Sequence, residues 1–91
     1  MSATAAWYER RRPGLGDRFL DGVEATIQRI REAPLAGALI PLRRLTISVR
    51  RQPVPGFPFI VAYVVEPALV VVAIAHTSRR PGYWRARLGR L

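Results

Sequence analysis

The stretch LGDRFLDGVEATIQRIREAP, residues 15–34, decides the fold of the N-terminal part of this chain. Its apolar side chains recur every three or four positions, which is the period of an amphipathic helix. We expect Asp17 to cap the start of this helix and Pro34 to end it. The apolar stripe consists of Leu15, Phe19, Leu20, Val23, Ile27 and Ile30.

A shorter helix is predicted from TAAWYERRR, residues 4–12, with Thr4 as its N-cap. It ends before Pro13, because a proline disfavours helical geometry in the residue that precedes it. Gly14 and Gly16 are expected to serve the tight turn between the two helices, which then form an antiparallel hairpin. This hairpin has one apolar face to bury against another element.

A strand is predicted from RRLTISVR, residues 43–50, because apolar and polar side chains alternate along it. Arg44 and Arg50 would lie on its solvated face, with Arg51 at its end. QPVPG, residues 52–56, contains two prolines and is therefore predicted to be a loop.

Two further segments, residues 57–65 and 69–75, are dense in β-branched and aromatic side chains. They are predicted to be adjacent buried strands of an antiparallel hairpin. A membrane span over residues 57–75 is the rival interpretation, since roughly 20 apolar residues cross a bilayer. Glu66 and Pro67 near the middle of this stretch favour the strands.

The order of these elements predicts an α+β fold. A helical hairpin packs on one face of a small antiparallel sheet of three or four strands, and a short helical tail follows over residues 82–91. With 91 residues the chain is expected to form a single domain, 1–91.

The charge is strongly basic and comes entirely from arginine, since the chain has a formal net charge of +9 and no lysine. Residues 1–36 hold six arginines against five carboxylates, whereas residues 37–91 hold nine arginines against Glu66 alone. An anionic partner is therefore expected at the second half: nucleic acid, an acidic protein or an anionic membrane. Codon bias in a GC-rich genome is an equally good explanation for the absence of lysine.

Several kinds of site are excluded by composition. The chain has no cysteine, so it has no disulfide, no thiolate metal site and no cysteine nucleophile. His76 is the only histidine, which excludes a zinc site built on histidine pairs. We expect neither a metal nor a cofactor. The start of the chain lacks the layout of a signal peptide, so a cytoplasmic protein is predicted.

RPGLGDRFL, residues 12–20, and AHTSRRPGYW, residues 75–84, resemble the RelE/ParE toxins of type II toxin-antitoxin systems, often labelled plasmid stabilisation proteins. The similarity extends from Ala6 to Leu88. It implies a cytoplasmic toxin neutralised by an acidic antitoxin that wraps around the sheet and helices. It also implies two alternative targets, because RelE-like members cleave messenger RNA on the ribosome and ParE-like members poison DNA gyrase. No membrane contact is expected, and a homodimer or a toxin-antitoxin hetero-oligomer is compatible with either target.

The chain departs from this family at several positions. Members normally open with a strand before the position of Trp7, but only six residues precede it here. Unless the true start lies upstream, we expect the domain to lack the family's first strand and to expose a sheet edge that invites pairing. Residues 52–56 resemble an insertion. Ile60 and Thr77 stand where RelE-like nucleases carry basic residues.

Metal-free RNA cleavage needs a base, an acid and positive charge on the phosphorane. The resemblance makes Tyr83 the candidate base, Arg79 a phosphate ligand and His76 an acid or base. Without basic residues at Ile60 and Thr77 this nuclease constellation is incomplete. Candidate contacts to nucleic acid or another target are Arg50, Arg51, Arg80, Arg85 and Arg87.

Simpler interpretations compete for the same residues. His76 is more often the end of a strand, held by a hydrogen bond, than a catalyst, and Trp7 and Tyr8 are more often packing aromatics than base-stacking platforms. Arg10–Arg12 form either a solvated helix face or antitoxin contacts. An inactive, degenerate toxin and a plain basic nucleic-acid-binding module are the two remaining alternatives, and the second would bind phosphate in a strongly salt-dependent way.

Overall fold

The predicted helical hairpin is followed by four strands in the computed structural model, which describes residues 2–41 and 47–78. The α+β class, the two helices and the antiparallel sheet are confirmed, while the predicted tail over residues 82–91 lies outside the described residues. The elements are helices α1 (Ala3–Arg11) and α2 (Leu15–Glu32), a 3-10 turn (Pro34–Ala36), and strands β1 (Ala38–Ile40), β2 (Val49–Pro53), β3 (Phe59–Val64) and β4 (Val70–His76).

Both predicted helix caps are wrong. Ser2, with extended backbone, caps α1 by accepting a hydrogen bond from the Ala5 N–H at 3.2 Å, because Thr4 is already helical. Asp17 lies in the first turn of α2 and makes no cap hydrogen bond. The N–H groups at that end donate instead to the Glu9 carboxylate of α1.

The glycines of the hairpin turn act as expected. Gly14 has a φ of +87°, a left-handed conformation that suits glycine. A Cβ on Gly16 would lie 2.6 Å from the Ala5 carbonyl oxygen, so this residue lets the two helices approach closely. The turn between the helices therefore depends on both positions being glycine.

The sheet has the order β1-β2-β3-β4, with every neighbouring pair antiparallel. Strand β1 was not predicted, because its three residues lie in a segment rich in proline, glycine and alanine. The stretch 57–75 forms the two strands β3 and β4, joined by residues 65–69, rather than one helix, so the membrane-span interpretation is wrong. Among the described residues no helix is both long and apolar enough to span a bilayer.

Strand β2 begins at Val49 and ends at Pro53, both later than predicted. Gln52 and Pro53, which were predicted to lie in a loop, belong to this strand and pair with Val61 and Ile60. The Val54 N–H donates to the Phe59 carbonyl at 2.9 Å, so the nitrogen of Pro53 faces the opposite side of the strand. On that side β2 pairs with β1, and the last residue of β2 in this pairing is Arg51, opposite Ala38. The N–H that proline lacks is therefore not needed in the ladder.

The sheet is apolar on both faces. On the face that packs against the helices, here the helix face, the buried residues are Ala5, Phe19, Val23, Ile30, Val54, Val61 and Tyr63. On the opposite face, here the far face, the buried residues are Val49, Ala62, Val64, Val72, Ala73 and Ala75. The prediction that one face of the sheet is solvated and bears arginines is therefore wrong for the described strands.

Candidate functional site

Arg50 lies on the helix face, since it pairs directly with Tyr63 and opposed residues of an antiparallel pair share a face. Its guanidinium donates hydrogen bonds to the carbonyl oxygens of Leu35 at 3.1 Å and Gly37 at 2.8 Å. Both bonds come from one guanidinium nitrogen, Nη1, and end in the turn that precedes β1. Arg50 is placed to hold that turn, which is a structural use of a predicted binding residue.

Arg51 lies on the far face, opposite Ala62 and Ala38. Its side chain is exposed, and it takes no part in an ion pair with a carboxylate of the described residues. It borders a shallow depression of about 440 Å³ that also includes Gln52, Pro53 and Ile60. Consecutive residues of β2 thus send their guanidinium groups to opposite faces of the sheet.

His76 is the last residue of β4 and pairs with Phe59, whose ring meets the imidazole edge-on at a centroid distance of 5.1 Å. Its Nδ1 accepts a hydrogen bond from the Ser78 N–H at 3.1 Å, and the Ser78 hydroxyl lies 2.8 Å from the same atom. A backbone N–H only donates, so the neutral imidazole carries its proton on Nε2. The ring is therefore positioned as a donor through Nε2.

The remaining predicted site residues, Arg79, Arg80, Tyr83, Arg85 and Arg87, lie outside the described residues. Of the predicted residues that are described, the structure does not bring Arg51 and His76 together. Arg51 shares the far face with Ala62, whereas His76 shares the helix face with Phe59. Across residues 2–41 and 47–78, no group of three His, Cys, Asp or Glu side chains could hold a metal ion.

A groove of about 500 Å³ lies between the first half of α1 and the adjoining ends of β3 and β4. We call it the aromatic groove, and it is lined by Ala3, Thr4, Trp7, Tyr8, Pro58, Phe59 and His76. Tyr8 forms its floor through edge contacts with Phe57 and Phe59 at centroid distances of 4.9 and 6.4 Å. Trp7 stands at its rim with 45% of its surface exposed.

Sequence reasoning assigned Trp7 and Tyr8 to packing, and this holds for Tyr8 but only partly for Trp7. The Trp7 ring contacts the Tyr8 ring. Arg11 covers one face of Trp7, with its guanidinium carbon 4.3 Å from the centroid of the Trp7 ring. The spacing of Ala3, Trp7 and Arg11 indicates that these residues lie on one face of α1, since residues four apart share a helix face. This was the available sequence signal for the helical side of the groove. The partners from the sheet, Phe59 and His76, are too distant in sequence for any local pattern to reveal.

Comparison with known protein families finds a match. A family model described as "ParE toxin of type II toxin-antitoxin system, parDE" matches residues 3–81. No curated protein and no solved structure matches the chain.

Proposed function

The chain belongs to the ParE toxin family of type II toxin-antitoxin systems, and from that premise we propose that it stops growth by binding DNA gyrase rather than by cleaving RNA. The family match favours the ParE-like of the two targets implied by the sequence resemblance. A cognate antitoxin is the partner that membership of this family implies. We propose that this antitoxin is acidic, because the net charge of the toxin is +9.

The separation of Arg51 from His76 is the observation that carries the proposal. A metal-free nuclease needs its acid, its base and its phosphate-binding cations around one scissile phosphate. Among the described residues, His76 lies on the helix face, Arg51 lies on the far face, and Arg50 is bonded to carbonyl oxygens. A protein that binds its target without catalysis needs no such convergence.

Ile60 supports the same proposal. It lies on the far face, half-buried against the apolar cluster that includes Ala62 and Ala75. An arginine at that position would carry the charge expected of a RelE-like nuclease, whereas isoleucine supplies only packing. The depression beside Arg51 therefore combines one cation with apolar side chains, Pro53 and Ile60, as in many protein interfaces.

Parallel assays with the purified toxin test the target. We expect inhibition of gyrase supercoiling and intact messenger RNA on programmed ribosomes. Tyr83→Phe should keep its effect on gyrase, while removal of residues 83–91 should abolish it, because we propose that Arg85 and Arg87 of this segment contact gyrase. Ribosome-dependent cleavage that Tyr83→Phe or Arg79→Ala abolishes would instead establish the nuclease.

The neutralising partner has a separate test. We expect a small acidic protein to be encoded beside the toxin; co-expression with it should restore growth, and the two proteins should co-purify. Continued growth when the toxin is expressed alone would identify an inactive homologue and overturn the proposal.

A further inference from the structure

Strand β1 lies at one edge of the sheet, and the hydrogen-bond ladder fixes which of its backbone groups face outward. The hydrogen bond from the Val54 N–H to the Phe59 carbonyl sets the phase of the pairing between β2 and β3. Because bonded pairs alternate along a strand, Arg51 directs its N–H and C=O groups toward β1, where it opposes Ala38. Leu39, the next residue of β1, therefore directs its N–H and C=O groups away from the sheet.

The residues on either side of Leu39 add no outward donor. The Gly37 N–H donates to the Tyr63 hydroxyl, and the Gly37 carbonyl accepts from Arg50. Pro41 has no N–H, which is a common way of shortening an exposed edge. No hydrogen bond joins the outward groups of Leu39 to another residue of the described chain. We call residues 37–41 the β1 edge.

Exposed apolar side chains lie at the β1 edge. Leu35 is 69% exposed and Leu39 is 57% exposed, the largest fractions among the large apolar side chains of the described residues. Both leucines adjoin Arg50, since Leu39 pairs directly with it and the Leu35 carbonyl accepts from its guanidinium. Neighbouring apolar side chains left in water are typical of an interface.

The backbone at this edge matches a second copy of the same chain. A long strand from another protein would find both an outward donor and an outward acceptor only at Leu39. Two copies related by a two-fold axis at Leu39 satisfy both groups, because each Leu39 N–H donates to the partner subunit's Leu39 carbonyl. The two leucine side chains then lie next to each other on one face of a continuous sheet.

We propose that the chain forms a weak two-fold dimer through the β1 edge, with Leu39 paired antiparallel to the partner subunit's Leu39. The contact is small, because β1 has only three residues, and small interfaces bind weakly. We expect a dissociation constant of about 0.1 to 1 mM. This proposal does not depend on the cellular target of the toxin.

Salt gives the dimer a distinctive signature. Each copy has a net charge of +9, so the two copies repel each other at low ionic strength. Added salt screens this repulsion and should strengthen self-association. Binding of an acidic protein or a nucleic acid should instead weaken with salt.

Sedimentation equilibrium of the purified full chain over a range of concentrations and salt measures the association. Leu39→Pro removes the outward N–H but no bond to β2, and by symmetry it removes both bonds of the dimer, so this variant should be monomeric. Leu39→Ala should weaken association at least about tenfold, because the substitution occurs twice in each dimer. Leu69→Ala, which shortens an exposed leucine beside the opposite edge strand, should leave association unchanged. Circular dichroism of each variant checks that it is folded.

Cross-linking tests the register of the pair. The native chain has no cysteine, so Leu39→Cys introduces a single thiol. Opposed residues of a bonded antiparallel pair have Cα atoms about 5.5 Å apart, which a disulfide can span. Mild oxidation should therefore convert the Leu39→Cys protein to a covalent dimer, while the Leu69→Cys protein stays monomeric.

Three results would overturn the inference. The first is a native chain that stays monomeric up to about 1 mM. The second is equal association of the native chain and folded Leu39→Pro, which would place the contact elsewhere. The third is a monomeric native chain whose growth inhibition is lost in folded Leu39→Pro, which would assign the edge to the target. Because association is measured without gyrase, the dimer and the proposed target fail independently.

Discussion

The hydroxyl of Tyr63 donates a hydrogen bond to the carbonyl oxygen of Pro34 across 2.7 Å. Tyr63 is fully buried in β3, and Pro34 begins the 3-10 turn that follows α2. The same hydroxyl accepts a hydrogen bond from the Gly37 N–H at 3.2 Å. One phenol group of the sheet thus holds both ends of the turn that connects the helical hairpin to β1.

Tyr63→Phe should therefore lower the free energy of unfolding by about 1 to 3 kcal/mol, because it leaves the carbonyl of Pro34 and the buried N–H of Gly37 without this hydroxyl. Urea denaturation followed by circular dichroism measures the change. Tyr8→Phe is the matched control, since the Tyr8 hydroxyl has no hydrogen-bond partner among the described residues. Equal losses in both variants would contradict the role assigned to Tyr63.

Arg50 and Arg51 should differ in their effects on stability. Arg50→Met removes two hydrogen bonds to carbonyl oxygens and is expected to cost about 1 kcal/mol. Arg51→Met removes an exposed group with no such bonds and should change stability by less than about 0.5 kcal/mol. Thermal and urea unfolding of the two variants provide the comparison, and a larger loss for Arg51 would show that the assignment of faces is wrong.

Arg51 should instead matter for toxicity. Arg51→Gln is expected to reduce growth inhibition, because its guanidinium is exposed on the far face and available to the proposed target. Arg18 is also exposed and lies on α2, so Arg18→Gln serves as the control for the loss of one charge. Growth curves at matched protein levels measure both, and identical toxicity would remove Arg51 from the target surface.

The Glu9 carboxylate should stabilise the start of α2. Glu9→Ala removes the acceptor for the N–H groups of Gly14 at 2.9 Å and Gly16 at 3.0 Å, so we expect a loss of about 1 kcal/mol. Asp17→Ala removes only a charge near the helix N-terminus and should cost about 0.3 to 1 kcal/mol at low salt. Added salt should therefore reduce the effect of Asp17 more than that of Glu9.

Gly16→Ala tests the close approach of the two helices. The new Cβ would lie 2.6 Å from the Ala5 carbonyl oxygen, and a backbone atom cannot move aside cheaply. We expect a net loss of stability although alanine favours helix by about 1 kcal/mol over glycine. At Gly22 the Cβ would meet a methyl group of Val54 at 3.2 Å, so Gly22→Ala should cost less or nothing. A Gly16→Ala protein as stable as the native chain would contradict this packing.

Residues close together in sequence were the predictable part of the fold. The stripe that includes Phe19, Val23 and Ile30 located α2, because an apolar stripe with helical period has to be buried. The β-branched runs located β3 and β4 within one or two residues. Both results depend on side-chain patterns that act within a single element.

The candidate site was less predictable, because it depends on contacts between elements. A shift of one residue in a strand moves every side chain to the other face, and β2 begins and ends later than the alternation in its sequence suggested. Arg50 and Arg51 were both expected to be binding residues, but pairing with β3 placed them on opposite faces. Capping by Glu9 likewise required the hairpin to close first.

The sequence by itself determined the helical hairpin, the antiparallel strands and the basic charge, since periodicity and composition are properties of neighbouring residues. Only the tertiary structure decided which arginine faces the helices, that Tyr63 binds Pro34, and that Trp7 and His76 line one groove. The physical reason is that strand register and helix-sheet packing set the distances between residues that are remote in sequence.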